Sequence, residues 1–478
     1  MRRELQNVPP TRTLLQLVRE DLHLRGTKEG CNEGDCGACV VALREPGAAE
    51  FKAVNSCIRM AHSIEGLELT TVEDLACEGQ LHPAQEALVQ CHGSQCGFCT
   101  PGFVMSLFAL HENAKQVGGK VDRAAAQVAL SGNLCRCTGY RPILEAAVQM
   151  LSLPQSLSKS ERSAHISQGL DPENASKKAS HQAAGAYLLP TRLSELLALR
   201  QAHPQAEIVA GCTDVGLWVN KGHQQFAQVL DVTRVRELRR IERYKHHVAI
   251  GAAVSLQEAF EEMAYDRPQL KTFAERFAGL PVRNSGTLGG NVANGSPIGE
   301  SMPLLIALRA NVVLMSVRGH REMPLEALYT GYRKNVIAPD EVLAWIKLPQ
   351  PTEHEFSRVY KISKRYDDDI SAVCLAMSAQ RDGDVLSGLS IGVGGVAATP
   401  VRAIKTEALG AYSVRADDLF DAIKQSLQAE FQPISDLRAS SNYRRELLGA
   451  LVDRFASEWR GEKAVSLESW ESLAEVLA

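Results

Sequence analysis

Cysteine placement constrains this chain more than any other feature. Ten of its 12 cysteines fall between Cys31 and Cys137, and only Cys212 and Cys374 lie beyond. In the stretch EGCNEGDCGACVV, from Glu29 to Val41, three thiols crowd together beside Gly30, Gly34 and Gly37. Such a loop has little apolar surface to bury, so another kind of bond must hold it. The opening residues, MRRELQNVPP, lack the apolar centre of a secretory signal. The expected compartment is therefore the cytoplasm, where thiols stay reduced. Clustered cysteines in that setting point to metal or redox chemistry before disulfides.

Cys31-x4-Cys36-x2-Cys39, with Cys57 further on, fits the plant-type spacing of a [2Fe-2S] cluster. Two irons need two thiolates each, and a loop that carries three of them can wrap the cluster while a distant fourth closes it. The glycines let the backbone turn and bring amides to the sulfurs, where they tune the potential. A zinc knuckle is the competing reading, but zinc sites favour paired arms. Cys96-x2-Cys99 and Cys135-x-Cys137 form a second group, and on spacing alone a four-cysteine zinc site is a serious competitor to a second cluster. Helices expected from near Pro101 and Pro142 would begin just after each cysteine pair. Their dipoles favour a negatively charged cluster. Cys77, Cys91, Cys212 and Cys374 read as plain thiols without a role.

A chain of 478 residues exceeds one core, so three or four domains are expected. Residues 1–75 read as a small α+β unit, with a helix over Thr13–Asp21 and a strand in CVVALRE; Arg3–Val8 finds no obvious strand partner. Residues 76–151 read as a bundle of four helices, at 83–92, 101–114, 122–131 and 142–151. Thr100 is the expected N-cap before Pro101, Asp122 caps the third helix and Gly132 ends it. The polar stretch 152–184 reads as a linker. Residues 185–350 alternate strands, helices and glycine turns, and 351–465 form a last α+β unit. The net charge of −4 with dispersed bases argues against a nucleic-acid partner. No apolar run approaches the ~18 residues a membrane span needs.

Two glycine-rich turns suit a dinucleotide. One is Val209–Val215, after a helix ending near His203. The other is Gly286–Ser296, where clustered amides make a nest for a pyrophosphate, with Thr287, Asn291, Asn294 and Ser296 adding side-chain bonds. A plain turn-rich loop is the alternative for the second. Gly392-Val-Gly394-Gly-Val-Ala397 fits GxGxxA, but Pro400 blocks the helix a Rossmann site needs. The run Lys364–Asp369 reads by default as a solvated loop.

Taken together, EGCNEGDCGACVV, NSC, QCGFCTPGFVMSL, GNLCRCTGYRPI, VAGCTDVGL, GTLGGNVANGSPIGESMP and YTGYRK resemble the iron–sulfur and flavin portion of the molybdenum hydroxylases. The resemblance implies a multidomain α+β chain: a β-grasp ferredoxin-like [2Fe-2S] domain, a four-helix [2Fe-2S] domain, an FAD domain of the vanillyl-alcohol-oxidase type and a C-terminal flavoprotein domain. It gives Cys31, Cys36, Cys39 and Cys57 to the cluster nearer the flavin, and Cys96, Cys99, Cys135 and Cys137 to the one nearer molybdenum. Ile208, Val209, Ala210, Gly211, Cys212, Thr213, Asp214, Val215, Phe277, Thr287, Leu288, Gly289, Gly290, Asn291, Glu300, Ile337 and Lys361 would line the FAD. Asp368 would stand beside the flavin ring and influence its potential and NAD access. Electrons would run from a molybdopterin on a separate large subunit, through both clusters, to FAD and on to NAD⁺. Two small and two large subunits would assemble together.

Overall fold

The computed structural model describes residues 4–154, 187–366 and 368–462. Residues 155–184 of the expected linker lie outside them. Near the start, Thr13 opens a short helix, Leu14–Gln16, by a reciprocal capping box with Gln16, and a π turn continues it over Leu17–Asp21. Three antiparallel strands follow, in the order Lys52–Asn55, Val40–Arg44, Glu68–Thr70. Among the described residues before Pro9 there is no strand.

The middle strand, VVALR, is apolar on both faces, and alternation sends the two faces to different cores. Val41 and Leu43 pack with Leu14, Leu17 and Val18. Val40 and Ala42 pack with Phe103, Leu107 and Ile143. The sheet is thereby joined to the four helices Pro83–Gln90, Thr100–Gln116, Arg123–Leu130 and Arg141–Gln149. Asp122 caps the third, accepting from Ala125 N–H at 2.8 Å, and the chain leaves that helix through Gly132 at φ +84°. Thr100 differs from expectation. It is the first helical residue rather than the cap, and its hydroxyl meets Ser94 Oγ at 2.7 Å.

The next region holds a parallel sheet, Tyr187–Leu188, Val229–Asp231, Glu207–Val209, and a five-stranded antiparallel one. The latter runs Gly319–Pro324, Asn311–Ser316, Val342–Pro349, His247–Gly251, Ile241–Arg243. Helices Leu256–Asp266, Leu288–Asn294 and Ser301–Ala307 contribute to its main core. The Gly286–Ser296 stretch is therefore not a plain loop: Thr287 Oγ1 accepts from Gly290 N–H at 2.9 Å and caps a helix there. The last region is an antiparallel sheet, Glu355–Ile362, Val373–Asp382, Val385–Gly394, Val401–Arg402. Helices Phe420–Glu430 and Ser441–Trp459 share a core with it. Gly392 and Gly394 lie inside a strand and the next element is another strand, so no dinucleotide helix follows them. Among the described residues no helix is long and apolar enough to cross a membrane.

Candidate iron–sulfur and flavin sites

The first four cysteines sort into two pairs. Cys31 N–H donates to Cys36 Sγ at 3.3 Å, while Cys36 N–H and Glu33 N–H donate to Cys31 Sγ at 3.3 and 3.4 Å. The Cys36 thiol and these amides pull the Cys31 thiol down to about 5. Cys39 and Cys57 are buried. The Cys57 thiol lowers Cys39 against the cost of burial, and Cys57 is raised in turn. Each pair thus contains one thiol held toward the thiolate form that ligates metal.

The second four are also near neighbours. Cys137 Sγ lies 3.7 Å from Cys96 Sγ and 3.8 Å from Cys135 Sγ. Burial opposes ionisation of Cys135, but the Thr138 hydroxyl and amide bring it to about 7. Burial and then Cys135 raise Cys99 to about 12. Cys96 and Cys137 are exposed.

Sulfur spacing separates an ideal zinc site from a binuclear cluster. A tetrahedral zinc with sulfurs at ~2.3 Å holds all four about 3.8 Å apart. Among the described residues, the trio His82, His111 and Glu112 alone gathers three ligating atoms within 4.8 Å of one another. The first group is drawn out into two pairs, as two irons with two thiolates each require, and in the second Cys137 lies between Cys96 and Cys135. The histidine trio is itself no metal cage. His82 Nδ1 accepts from Ala84 N–H at 3.1 Å, so its proton sits on Nε2, 3.2 Å from Glu112 Oε1. A ring in that state offers no lone pair to a metal, and it serves as a helix cap.

The two cysteine groups touch. Leu134 N–H donates to the Cys36 carbonyl at 3.0 Å, and Cys135 follows Leu134 directly. Gly37, Gly132 and Gly279 make the junction possible. Gly37 and Gly132 have φ of +69° and +84°, and a Cβ on Gly37 would lie 2.3 Å from the Gly132 carbonyl oxygen. On Gly279 it would lie 2.4 Å from Gly132 Cα. The flavin region also grips the first group directly. Asn220 Nδ2 donates to the Cys57 carbonyl and Lys221 Nζ to the Cys31 carbonyl, both at 2.7 Å. Sequence reasoning missed Asn220, Lys221 and Leu134. Their partners lie far along the chain, and no local spacing marks them.

The two glycine-rich turns meet face to face. Strand Glu207–Val209 delivers one and helix Val215–Asn220 takes it away; the other opens helix Leu288–Asn294. A Cβ on Gly290 would stand 2.9 Å from Thr287 Oγ1 and 3.6 Å from Ala210 Cβ, filling the space between them. That cradle, with Thr213, Asn294 and Ser296 near it in sequence, fits a dinucleotide. Burial raises Asp214, while Arg333 and a bond from Asn294 oppose it. Cys212 sits at φ +59°, buried, its thiol pushed up to about 12 by burial first.

The other residues expected at the FAD make the following contacts within the chain. Val209 and Leu288 point into cores, Gly289 backs onto Ala252, and Phe277 packs 4.9 Å from Phe260. Ile208 and Ile337 pack partly buried against the cores. Asn291 accepts from the Ser301 hydroxyl. Glu300 and Lys361 form an ion pair of 2.9 Å, both side chains nearly sealed from water. Glu300 also accepts from Ser371 N–H, and Lys361 donates to the Arg276 carbonyl, each at 2.8 Å.

The Lys364–Asp369 run is not simply solvated. Asp368, at φ +59°, accepts from Gly279 N–H through Oδ1 at 2.9 Å. Its Oδ2 is shut off from solvent with no partner among the described residues. Burial, then nearby Asp35, pushes its carboxyl up to about 7. Arg276 stacks over Tyr366 at 4.4 Å, and Arg365 reaches Asp35, in the first cysteine loop, at 3.6 Å. The loop is a strut between that cysteine loop and the flavin region.

Comparison with known proteins names these modules. Residues 2–78 match the 2Fe-2S iron-sulfur cluster binding domain and 71–148 the [2Fe-2S] binding domain. Residues 179–351 match the FAD binding domain in molybdopterin dehydrogenase, and 358–459 the CO dehydrogenase flavoprotein C-terminal domain. The chain carries two [2Fe-2S] domains, an FAD-binding domain and a flavoprotein C-terminal domain. Xanthine dehydrogenase of Drosophila subobscura is 34% identical over 93% of this chain, which spans 38% of that relative. Xanthine dehydrogenase/oxidase of Gallus gallus is 31% identical over 84% of this chain and 35% of its own length. The chain thus spans little more than a third of these curated relatives. Carbon monoxide dehydrogenase from Hydrogenophaga pseudoflava superposes with a TM-score of 0.53 at 26% identity, over 56% of this chain and 94% of that one.

Proposed function

We propose that this chain is the electron-transfer subunit of a xanthine dehydrogenase. When bound, [2Fe-2S] clusters supply one-electron transfer and FAD supplies hydride transfer to NAD⁺. Cys31, Cys36, Cys39 and Cys57 hold the cluster beside the flavin. Cys96, Cys99, Cys135 and Cys137 hold the one that faces the partner. The observation that carries this order is the double attachment of the first cysteine loop. Leu134, next to Cys135, bonds one end of it at Cys36, and Asn220 and Lys221 of the flavin region bond Cys57 and Cys31. Exposed Cys96 and Cys137 suit an entry point for electrons from outside the chain.

The partner in this reading is a large molybdopterin-binding subunit, in a cytoplasmic assembly of two small and two large chains. Hypoxanthine and xanthine would be oxidised to urate on it. The xanthine dehydrogenases that align over most of the chain support that substrate. The same wiring serves an aldehyde or N-heterocycle oxidoreductase, and a stand-alone diaphorase is the reading without a partner. Purification of the native complex, with NADH formation followed on xanthine, an aldehyde and an N-heterocycle, separates them. Xanthine-dependent NADH formation is expected. No copurifying molybdenum protein, or NADH from another substrate alone, overturns it.

A further inference from the structure

A cavity of about 230 Å³ lies between the first three-stranded sheet and the flavin region. It exceeds the ~30 Å³ share of one water several-fold. Of the residues expected to line the FAD, Thr287 alone reaches it. Five cations line it. Three are paired: Arg44 with Glu68, Lys52 with Glu258, and Arg239 with Glu45. The remaining acid on its wall, Glu50, is exposed.

Arg59 and Arg234 are the surplus. Among the described residues neither is in an ion pair with a carboxylate. Arg59 Nε donates to Ser63 Oγ at 3.1 Å, and Arg234 Nη2 donates to the Glu65 carbonyl. Asp231 feels the Arg59 charge but is bonded to Thr233 and Tyr187. Burial lowers the Arg234 guanidinium, opposed by Glu45 and reinforced by Arg239 and Arg59. The two cations therefore crowd each other in a partly desolvated space. A second observation points the same way. Ser285, 4% exposed, lines this cavity, and its Oγ has no hydrogen-bond partner among the described residues. An orphan buried hydroxyl is costly, and two guanidiniums without counter-charge suit a tetrahedral oxyanion.

We propose that Arg59, Arg234 and Ser285 form a phosphate-binding site that ties the first iron–sulfur region to the flavin region. The phosphate is either free or part of a nucleotide. Calorimetric titration of the cofactor-loaded complex at low salt, with inorganic phosphate, ADP and adenosine, tests it. Arg234→Gln and Ser285→Ala serve as variants, both away from the cysteines. Saturable phosphate binding is expected, weakened at least tenfold by Arg234→Gln and several-fold by Ser285→Ala, with iron and flavin content unchanged. Binding of ADP tighter than phosphate, lost in Arg234→Gln, assigns a nucleotide; equal binding assigns free phosphate. The site is refuted if phosphate and ADP both fail to bind, or bind equally to wild type and both variants.

Discussion

Replacing Asp368 with Asn should make the protein more stable in mild alkali while leaving it unchanged in acid. The Asp368 carboxyl sits at about 7 against an ordinary 3.8, raised by burial and by Asp35. A folded value above the unfolded one means the neutral acid favours the fold. That stability is complete below about pH 4 and is lost as pH rises through about 7. At about 1.36 kcal/mol per pH unit of separation, the loss is on the order of 4 kcal/mol. Asn stays neutral throughout and keeps the carbonyl that accepts from Gly279 N–H. Thermal unfolding of wild type and Asp368→Asn, from about pH 3.5 to about pH 9, reads the difference. The midpoints should coincide at the acid end and separate by roughly 10 °C at the alkaline end, at ~2–4 °C per kcal/mol. Asp35→Asn should move the wild-type inflection to lower pH by removing the second cause. Parallel curves across the whole range would refute the reasoning, because Asp368 would then be ionised at no cost.

Other perturbations follow from the same contacts. Lys361→Met strands the buried Glu300 carboxylate, and should cost about 3–5 kcal/mol, measured by denaturant unfolding, with FAD lost in parallel. Gly132→Ala puts a side chain at φ +84° and 3.0 Å from Gly279 Cα. It should cost at least about 1–2 kcal/mol from the backbone alone and loosen protection of the junction amides in hydrogen exchange. Asn220→Ala removes the bond to the Cys57 carbonyl. The expected cost is about 1 kcal/mol, with an altered signal of the first cluster and no loss of iron.

What could be read from the chain and what could not divides along contact range. The motifs Cys31–Cys39, Cys96–Cys99 and Cys135–Cys137, the Asp122 cap and the exit through Gly132 rest on residues within a few positions of each other, so local spacing exposes them. Thr100 shows the limit even there. Ser94 takes its hydroxyl, and the cap falls one residue earlier than the Thr-Pro pair suggests. Gly286–Ser296 hid a helix because its glycines read as turn formers, while burial of Leu288 and Val292 outweighs their propensity. The attachment of Cys57 to Asn220 spans 163 residues and has no periodicity to announce it. The fate of Asp368 was equally hidden, since a charged run reads as solvated until Gly279 and Asp35 close over it.

Electron paramagnetic resonance of the dithionite-reduced chain, with iron and zinc counted in the same sample, is the most direct trial. Two distinct signals, each amounting to one spin per chain, should accompany about four iron atoms. A single signal with two iron and one zinc would place zinc at one cysteine group and break the wire between them.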